Sequence, residues 1–558
     1  MARLLIKVVV SLSLSNFHYI DNFFHWVPSF KDDWEKKSYG HGVLITDLSE
    51  PNITPWNYGD KQNAIDTNQS SDDSSSSNSH EHDGEMINGE FVKSHGMNWF
   101  VAALFLVGDM AGGGIVALPT AVQQCGFYTG IIICVVMAIV ATASAIFLGK
   151  GWEVLPRHWK EYRTHCRKPY AEMGYRALGT KTKTAVSVCL NITQFGICVV
   201  FFLLSAKNIH DFIATFTPHG PDLCLMIIIV GLVLLPVTFL KSPEDFWWAI
   251  VAGMCSTACA VVLIIIGTMK DHDVCAPKAA EPKFHILNLF TALGTVVFTF
   301  GGHSTFPTIQ HDMRRPSEFT RSAIAAFITI CIFYAPVVVL AHITYGDSLR
   351  DSVLNSIQTT WIQQAVNLMI AAHCMLTLTL MFNPLNQEAE ELFQFGIKRI
   401  ILRSGMMAAV IFVAESVPNF GPVLNLMGAS TVTLTCVIFP SVFYLFLKAR
   451  EEKIIRSQTG VDEGPVSLSE MINMTDKRIL IFCSFIIVIG FIGGGAATFS
   501  AVREITGTHF ETPCYIKPFL HNLRHDNLTS TNCCGPEQNI AVSGNIDVCN
   551  EPDLTFYG

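Results

Sequence analysis

From residue 98 onward, long apolar runs alternate with short polar connections, and most runs approach the roughly 20 residues that a helix needs to cross a bilayer core. About eleven runs are present, over approximately 98–122, 126–149, 184–214, 222–240, 246–269, 286–310, 321–345, 361–382, 399–417, 420–447 and 479–500. In lipid every backbone N–H and C=O must be paired within the protein, so single runs of this length predict helices rather than barrel strands. The pattern is that of an all-α polytopic membrane protein. It divides the chain into an N-terminal arm over 1–96, a helical domain over 97–500 and a tail over 501–558.

Two runs are interrupted in the same way. The first carries Asp109-Met110-Ala111-Gly112-Gly113-Gly114 ahead of Pro119, about halfway along its length. A charge at that depth costs about 2.5–3.5 kcal/mol on insertion scales, and each glycine gives up about 1 kcal/mol of helix propensity. The sixth run breaks at Phe300-Gly301-Gly302-His303 ahead of Pro307. In each, a glycine stands five residues before the proline: Gly114 before Pro119 and Gly302 before Pro307. Small residues also serve close helix packing, but packing gives no reason for two matched breaks five helices apart. An inverted-repeat transporter does, with helices 1 to 5 and 6 to 10 as its halves and the eleventh helix outside them.

Unwound backbone at mid-membrane offers unpaired N–H and C=O groups to a zwitterion, with helix N-termini suited to a carboxylate and exposed carbonyls to an ammonium. The substrate is therefore expected to be an amino acid, bound by Asp109, Ala111, Gly112, Gly113, Gly114, Phe300, Gly301, Gly302 and His303.

Four segments carry a resemblance: GGGIVALP, RKPYAEMGYRALG, FGGHSTFPTIQHDMRRPSEF and VPNFGPVLNLMGASTVTLTCVIFP. Together they resemble the animal branch of the amino acid/auxin permease family, which includes proton-coupled, sodium-coupled neutral and vesicular inhibitory amino acid transporters. The resemblance spans roughly 97–500. It implies a leucine-transporter-like 5+5 inverted repeat with an eleventh transmembrane helix, working by alternating access around the first and sixth helices. Family members commonly have Asn near the start of the first break where this chain has Asp109, so the coupling ion is not inherited with the resemblance.

Proton coupling is expected, because a carboxylate in a dry cavity can alternate between neutral and charged forms. His303, at the matching place in the other break, is expected to share that proton or pair with Asp109. Sodium is the alternative and would need hard oxygen ligands such as the Thr377 or Thr379 hydroxyl. His373, Glu388, Glu390 and Glu391 are lesser candidates. The expected function is proton symport of small neutral amino acids toward the cytoplasm, with an amino acid sensor that keeps the same site as a further alternative. No enzymatic centre, metal site or cofactor beyond the coupling ion is expected, and a monomer in the lipid bilayer is.

Composition supports a membrane protein. Of 558 residues, 50% are hydrophobic and only 15% charged, and the mean hydropathy of +0.38 lies outside the range of soluble domains. The net charge of -9 says little about nucleic acid, a partner that is not expected, because the acidic residues cluster in the N-terminal arm and the tail rather than forming a patch beside the helices. Between Thr67 and Glu90 the arm turns to Ser, Asn, Asp, Glu and His, too polar to fold alone, and its histidines are read as solvated. The start MARLLIKVVVSLSLS is like a signal peptide, but Lys7 interrupts it and no clear cleavage site follows.

Basic residues such as Arg157, Arg167, Arg314, Arg315, Lys398, Lys448 and Arg456 fall in alternate connections, which places those connections and the N-terminus in the cytoplasm. The tail is then extracellular or lumenal, at the plasma membrane or an endolysosomal or vesicular one. It carries Cys514, Cys533, Cys534 and Cys549 and the glycosylation sequon at Asn527, both suited to an oxidising compartment. Four cysteines allow three pairings. Cys224 and Cys275, on the same side, are a further candidate pair.

Overall fold

The computed structural model describes residues 84–557 apart from 88, 218–219, 240–246, 391–396, 458–461, 463, 509–511, 520–530 and 555. The arm up to residue 83, Asn527 and Glu391 lie outside the described residues, as does the side chain of Glu390.

Helices occupy each of the apolar runs. The first run is split into α1 (Trp99–Met110) and α2 (Gly113–Gln124), bent by 56°. α3 (Phe127–His158), a short polar-faced α4 (Pro169–Leu178), α5 (Thr180–Phe216), α6 (Leu223–Leu234) and α7 (Trp247–Cys275) follow. The sixth run is split into α8 (Ile286–Thr299) and α9 (Phe306–His311). Then come α10 (Phe319–Tyr345), α11 (Thr360–Glu390), α12 (Ile397–Ser416), α13 (Phe420–Met427), α14 (Phe439–Arg456), a short α15 (Leu468–Met474) and α16 (Lys477–Arg503). Among the described residues, seven helices are by themselves long and apolar enough to cross a membrane, and the bent α1–α2 pair makes eight.

Local chemistry explains the breaks. Asn98 caps α1 by accepting from the Val101 N–H at 2.8 Å. The helix closes at Ala111, whose N–H returns to Val107 O, and Gly112 then takes φ -89°, ψ -110°, which is not helical. In the second break Gly301 N–H turns back to Phe298 O, and α9 restarts with Pro307 in its first turn, where no N–H is needed.

Between α13 and α14 the helix is wound as two π turns, Gly428–Val432 and Leu434–Ile438. There α8 passes so close that a methyl group on Gly428 would lie 1.9 Å from Gly294 O.

Residues the sequence assigns to the arm form a hairpin, β1 (Gly84–Ile87) paired antiparallel with β2 (Glu90–Lys93). It is stitched to the chain after α9: Lys93 N–H donates to Arg314 O, Met97 N–H to Asp312 O and Arg314 N–H to Met97 O, at 2.8–3.0 Å.

The tail folds back over the opposite end of the bundle. Cys224 bonds to Cys514, Cys275 to Cys534 and Cys533 to Cys549, with Cα–Cα distances of 5.5, 5.4 and 5.4 Å. All six candidate cysteines are therefore paired, but the expected Cys224–Cys275 pair does not form. Each is instead met by a tail cysteine, because the tail lies directly on the segment between α10 and α11. Val542 N–H donates to Gln358 Oε1 at 2.6 Å, Tyr557 OH donates to Leu349 O at 3.0 Å, and the Arg350 guanidinium lies 5.2 Å above the Phe556 ring.

Candidate substrate site at the paired helix breaks

The end of α1 and the start of the turn before α9 meet in the middle of the bundle. Asp109, in the last turn of α1, is only 6% exposed. Its Oδ2 accepts from the Thr305 hydroxyl at 2.8 Å, which joins the two breaks, while its Oδ1 is buried and has no partner among the described residues. A methyl on Gly302 would sit 2.9 Å from that Oδ2 and 2.9 Å from Met110 Cγ, so the approach of the two segments depends on glycine. Tyr334, from α10, donates to Met110 O at 2.9 Å and satisfies a carbonyl released where α1 stops.

A cavity of about 20 Å³ lies beside this junction. It has room for about one water molecule and none for an amino acid, so the site is closed in this conformation. Asp109, Gly301 and Gly302 line it, together with Ser304 from the second break, Phe201 from α5 and Met381 from α11. The first π turn adds Val432 and the second adds Thr435 and Cys436. Asp109 is the sole carboxylate among the lining residues, and no Lys, Arg or His lines the cavity with it.

The other expected site residues lie around the cavity rather than on it. Ala111 is fully buried. A methyl on Gly112 would meet Phe201 Cζ at 2.9 Å, one on Gly113 Leu204 Cδ2 at 3.7 Å, and one on Gly114 Thr299 Cγ2 at 2.8 Å, so these glycines admit α5 and α8 close to the unwound turn. Phe300 is buried and meets the Tyr334 ring edge-on, 6.0 Å between centroids.

His303 does not pair with Asp109, contrary to the expectation from sequence. Its Nε2–H donates to Ala141 O on α3 at 2.9 Å and its ring stacks on Phe306, 4.6 Å between centroids. The ring ties the second break to α3, and Asp109 finds its partner two residues further on, in Thr305.

Thr377 lies 3.3 Å from His373 Nε2. His373 Nδ1–H donates to Gly253 O on α7 at 3.0 Å, which fixes the tautomer and leaves Nε2 to accept from Thr377. That Nε2 would be 3.2 Å from a methyl on Gly112. An imidazole therefore stands against the unwound turn beside Thr377. Sequence reasoning missed Thr305 and Tyr334. Thr305 is legible in principle as a hydroxyl inside the second break, whereas Tyr334 leaves no local signal.

The family model for transmembrane amino acid transporter proteins matches residues 95–492. The chain belongs to this family. Relatives of this amino acid transporter include the Arabidopsis thaliana amino acid transporter AVT1H, 25% identical over 371 residues, covering 63% of this chain and 82% of that one. Another is lysine histidine transporter-like 6 of the same plant, 26% identical over 379 residues and covering 63% and 83%. Among solved structures the transporter is similar to an inward-facing conformation of Mhp1, with a TM-score of 0.40 and 11% identity, covering 76% of this chain and 94% of that one.

Proposed function

We propose that this family member is a secondary active transporter of amino acids, coupled to protons and working by alternating access around the two broken helices of a 5+5 repeat. One observation carries the reading: a buried carboxylate, Asp109, held by Thr305 across the junction of the breaks and left with a free oxygen beside a closed cavity. A membrane-embedded carboxylate with no cationic partner is a place to load and unload a proton. The apolar walls, Ile197, Phe201, Phe298 and Val432 among them, favour neutral side chains, and small neutral amino acids are the proposed class.

Sodium fits less well. A hard cation wants several oxygens around one point, and Thr377 is not among the residues that line the cavity with Asp109. The disulfide-bonded tail supports an oxidising, extracellular or lumenal side for residues 501–558 and a cytoplasmic N-terminus.

Uptake of labelled amino acids into proteoliposomes tests this. Saturable flux that responds to an imposed proton gradient, and not to a sodium gradient, is the expected result. Flux that follows sodium at constant pH would overturn the coupling, and binding without flux would replace transport by sensing.

A further inference from the structure

We propose that Asp109 is the anchor for the substrate's ammonium group, so that the transported class is defined by a free, protonated amine rather than by a carboxylate. The inference rests on the reading above that the cavity at the helix breaks is the transport site.

The charges on the page point one way. Asp109 is 6% exposed, one oxygen is held by Thr305, and the other is buried without a partner among the described residues. A carboxylate offers two acceptor atoms with about four lone-pair sites, and a buried one left unfilled costs free energy until a donor meets it. The neighbouring groups do not supply it. From α10, Tyr334 spends its hydroxyl on Met110 O. From the second break, His303 turns its Nε2–H to Ala141. From α11, His373 spends its Nδ1–H on Gly253. From the second π turn, the thiol of Cys436 is a weak donor. α5 presents Thr193, Ile197 and Phe201 to the cavity, none of them ionisable. α7 places Ile250 against Gly108, one residue before the carboxylate.

A cation carried in by the ligand completes such a site, and an ammonium within reach of a buried carboxylate makes a charge-assisted hydrogen bond. A substrate carboxylate finds no matching charge, since no Lys, Arg or His lines the cavity. The Thr193 hydroxyl donates to Cys189 O at 2.8 Å and that of Thr435 to Thr431 O at 3.1 Å, so neither hydrogen is left for a substrate carboxylate.

The test is competition against a labelled substrate amino acid in proteoliposomes, with three unlabelled probes that share its side chain. These are the parent amino acid, the primary amine that lacks the carboxylate, and the N-acetyl derivative that lacks the cationic amine. The amine is expected to compete within about tenfold of the parent, and the N-acetyl derivative at least a hundredfold more weakly. Equal competition by the N-acetyl derivative overturns the proposal, as does failure of the amine to compete.

Two variants locate the effect. Asp109→Asn is expected to raise the half-saturating concentration at least tenfold and to abolish the preference for the amine over the N-acetyl probe. If the preference persists in Asp109→Asn, the ammonium is held elsewhere. Ile197→Phe, which fills the cavity wall without touching charge, is expected to weaken all cationic probes alike. If it leaves uptake unchanged while the amine preference stands, the location of the transport site is wrong and the ammonium rule is not. The wild-type competition series decides even where a variant fails to fold.

Discussion

The contact between α8 and the first π turn gives the most direct test of the architecture. In Gly428→Ala the new methyl would lie 1.9 Å from Gly294 O, 2.8 Å from Gly294 C and 2.9 Å from Phe298 Cβ. Optimal heavy-atom separations are about 3.5–4.0 Å, so one helix must move by about 1.5 Å, and the nearest obstacle is backbone with no rotamer to yield. Overpacking typically costs about 1–3 kcal/mol, and a backbone obstacle places this change near about 3 kcal/mol, or more than a hundredfold in an equilibrium constant. The displaced helix runs directly into Gly301 and Gly302 at the cavity. Purified Gly428→Ala is therefore expected to melt well below the wild type in detergent and to lose most uptake. Gly495→Ala is the control: it sits inside α16 with nothing within 4 Å of the added methyl, and is expected to be neutral or slightly stabilising, since alanine is the better helix former. A Gly428→Ala protein that melts and transports like the wild type would refute this close crossing.

Further outcomes follow from the pairings and caps. In Cys224→Ser the thiol newly labelled by maleimide on denaturation without reductant is expected to be Cys514, and in Cys275→Ser Cys534; labelling of Cys275 in Cys224→Ser would instead restore the pairing expected from sequence. His373→Ala leaves Gly253 O and the Thr377 hydroxyl without their imidazole, and is expected to cost about 1–3 kcal/mol of stability, read as a lowered melting temperature. Outside the bundle, hydrogen bonds from the Ser467 N–H, then from Lys453 and the Ser467 hydroxyl, hold the Glu470 carboxyl down at about 2, below its usual 4.5. A depressed carboxyl stabilises the fold above its unfolded value and ceases to as pH falls through its folded value. Amide protection factors in α15 are thus expected to be flat from neutral pH down to about 5 and to fall as pH drops below about 4 toward 2; unchanged protection at pH 2 contradicts the cap.

Much of the helical order was legible because hydropathy is a local signal. The breaks were legible for the same reason: Gly112 to Gly114 and Gly301 to Gly302 stand out against apolar neighbours, and both mark real interruptions. Which groups meet across the breaks was not legible. His303 occupies the matching place in the repeat, yet its ring points to Ala141, and the carboxylate is met by Thr305. A shift of two residues around an unwound turn changes the partner, and no periodicity governs an unwound turn. The π turns between Gly428 and Ile438 were silent in sequence as well, because Gly428-Ala429-Ser430-Thr431-Val432 reads as ordinary membrane helix. The tail failed for a different reason. Cysteine count bounds the pairings but distance chooses among them, and distance depends on where the tail lies over Gln358 and Leu349.

The Cys224–Cys514 bond joins residues 290 apart in the chain. During biosynthesis it must wait until α16 has been made and the segment beyond it has been delivered to the same side of the membrane as the start of α6. A chain with one helix skipped or inverted would leave Cys514 across the bilayer from its partner. The bond thus works as a proofreading mark: its presence reports that the membrane domain between the two cysteines has been threaded in register, and its absence leaves Cys224 as a free thiol on the side where disulfides form.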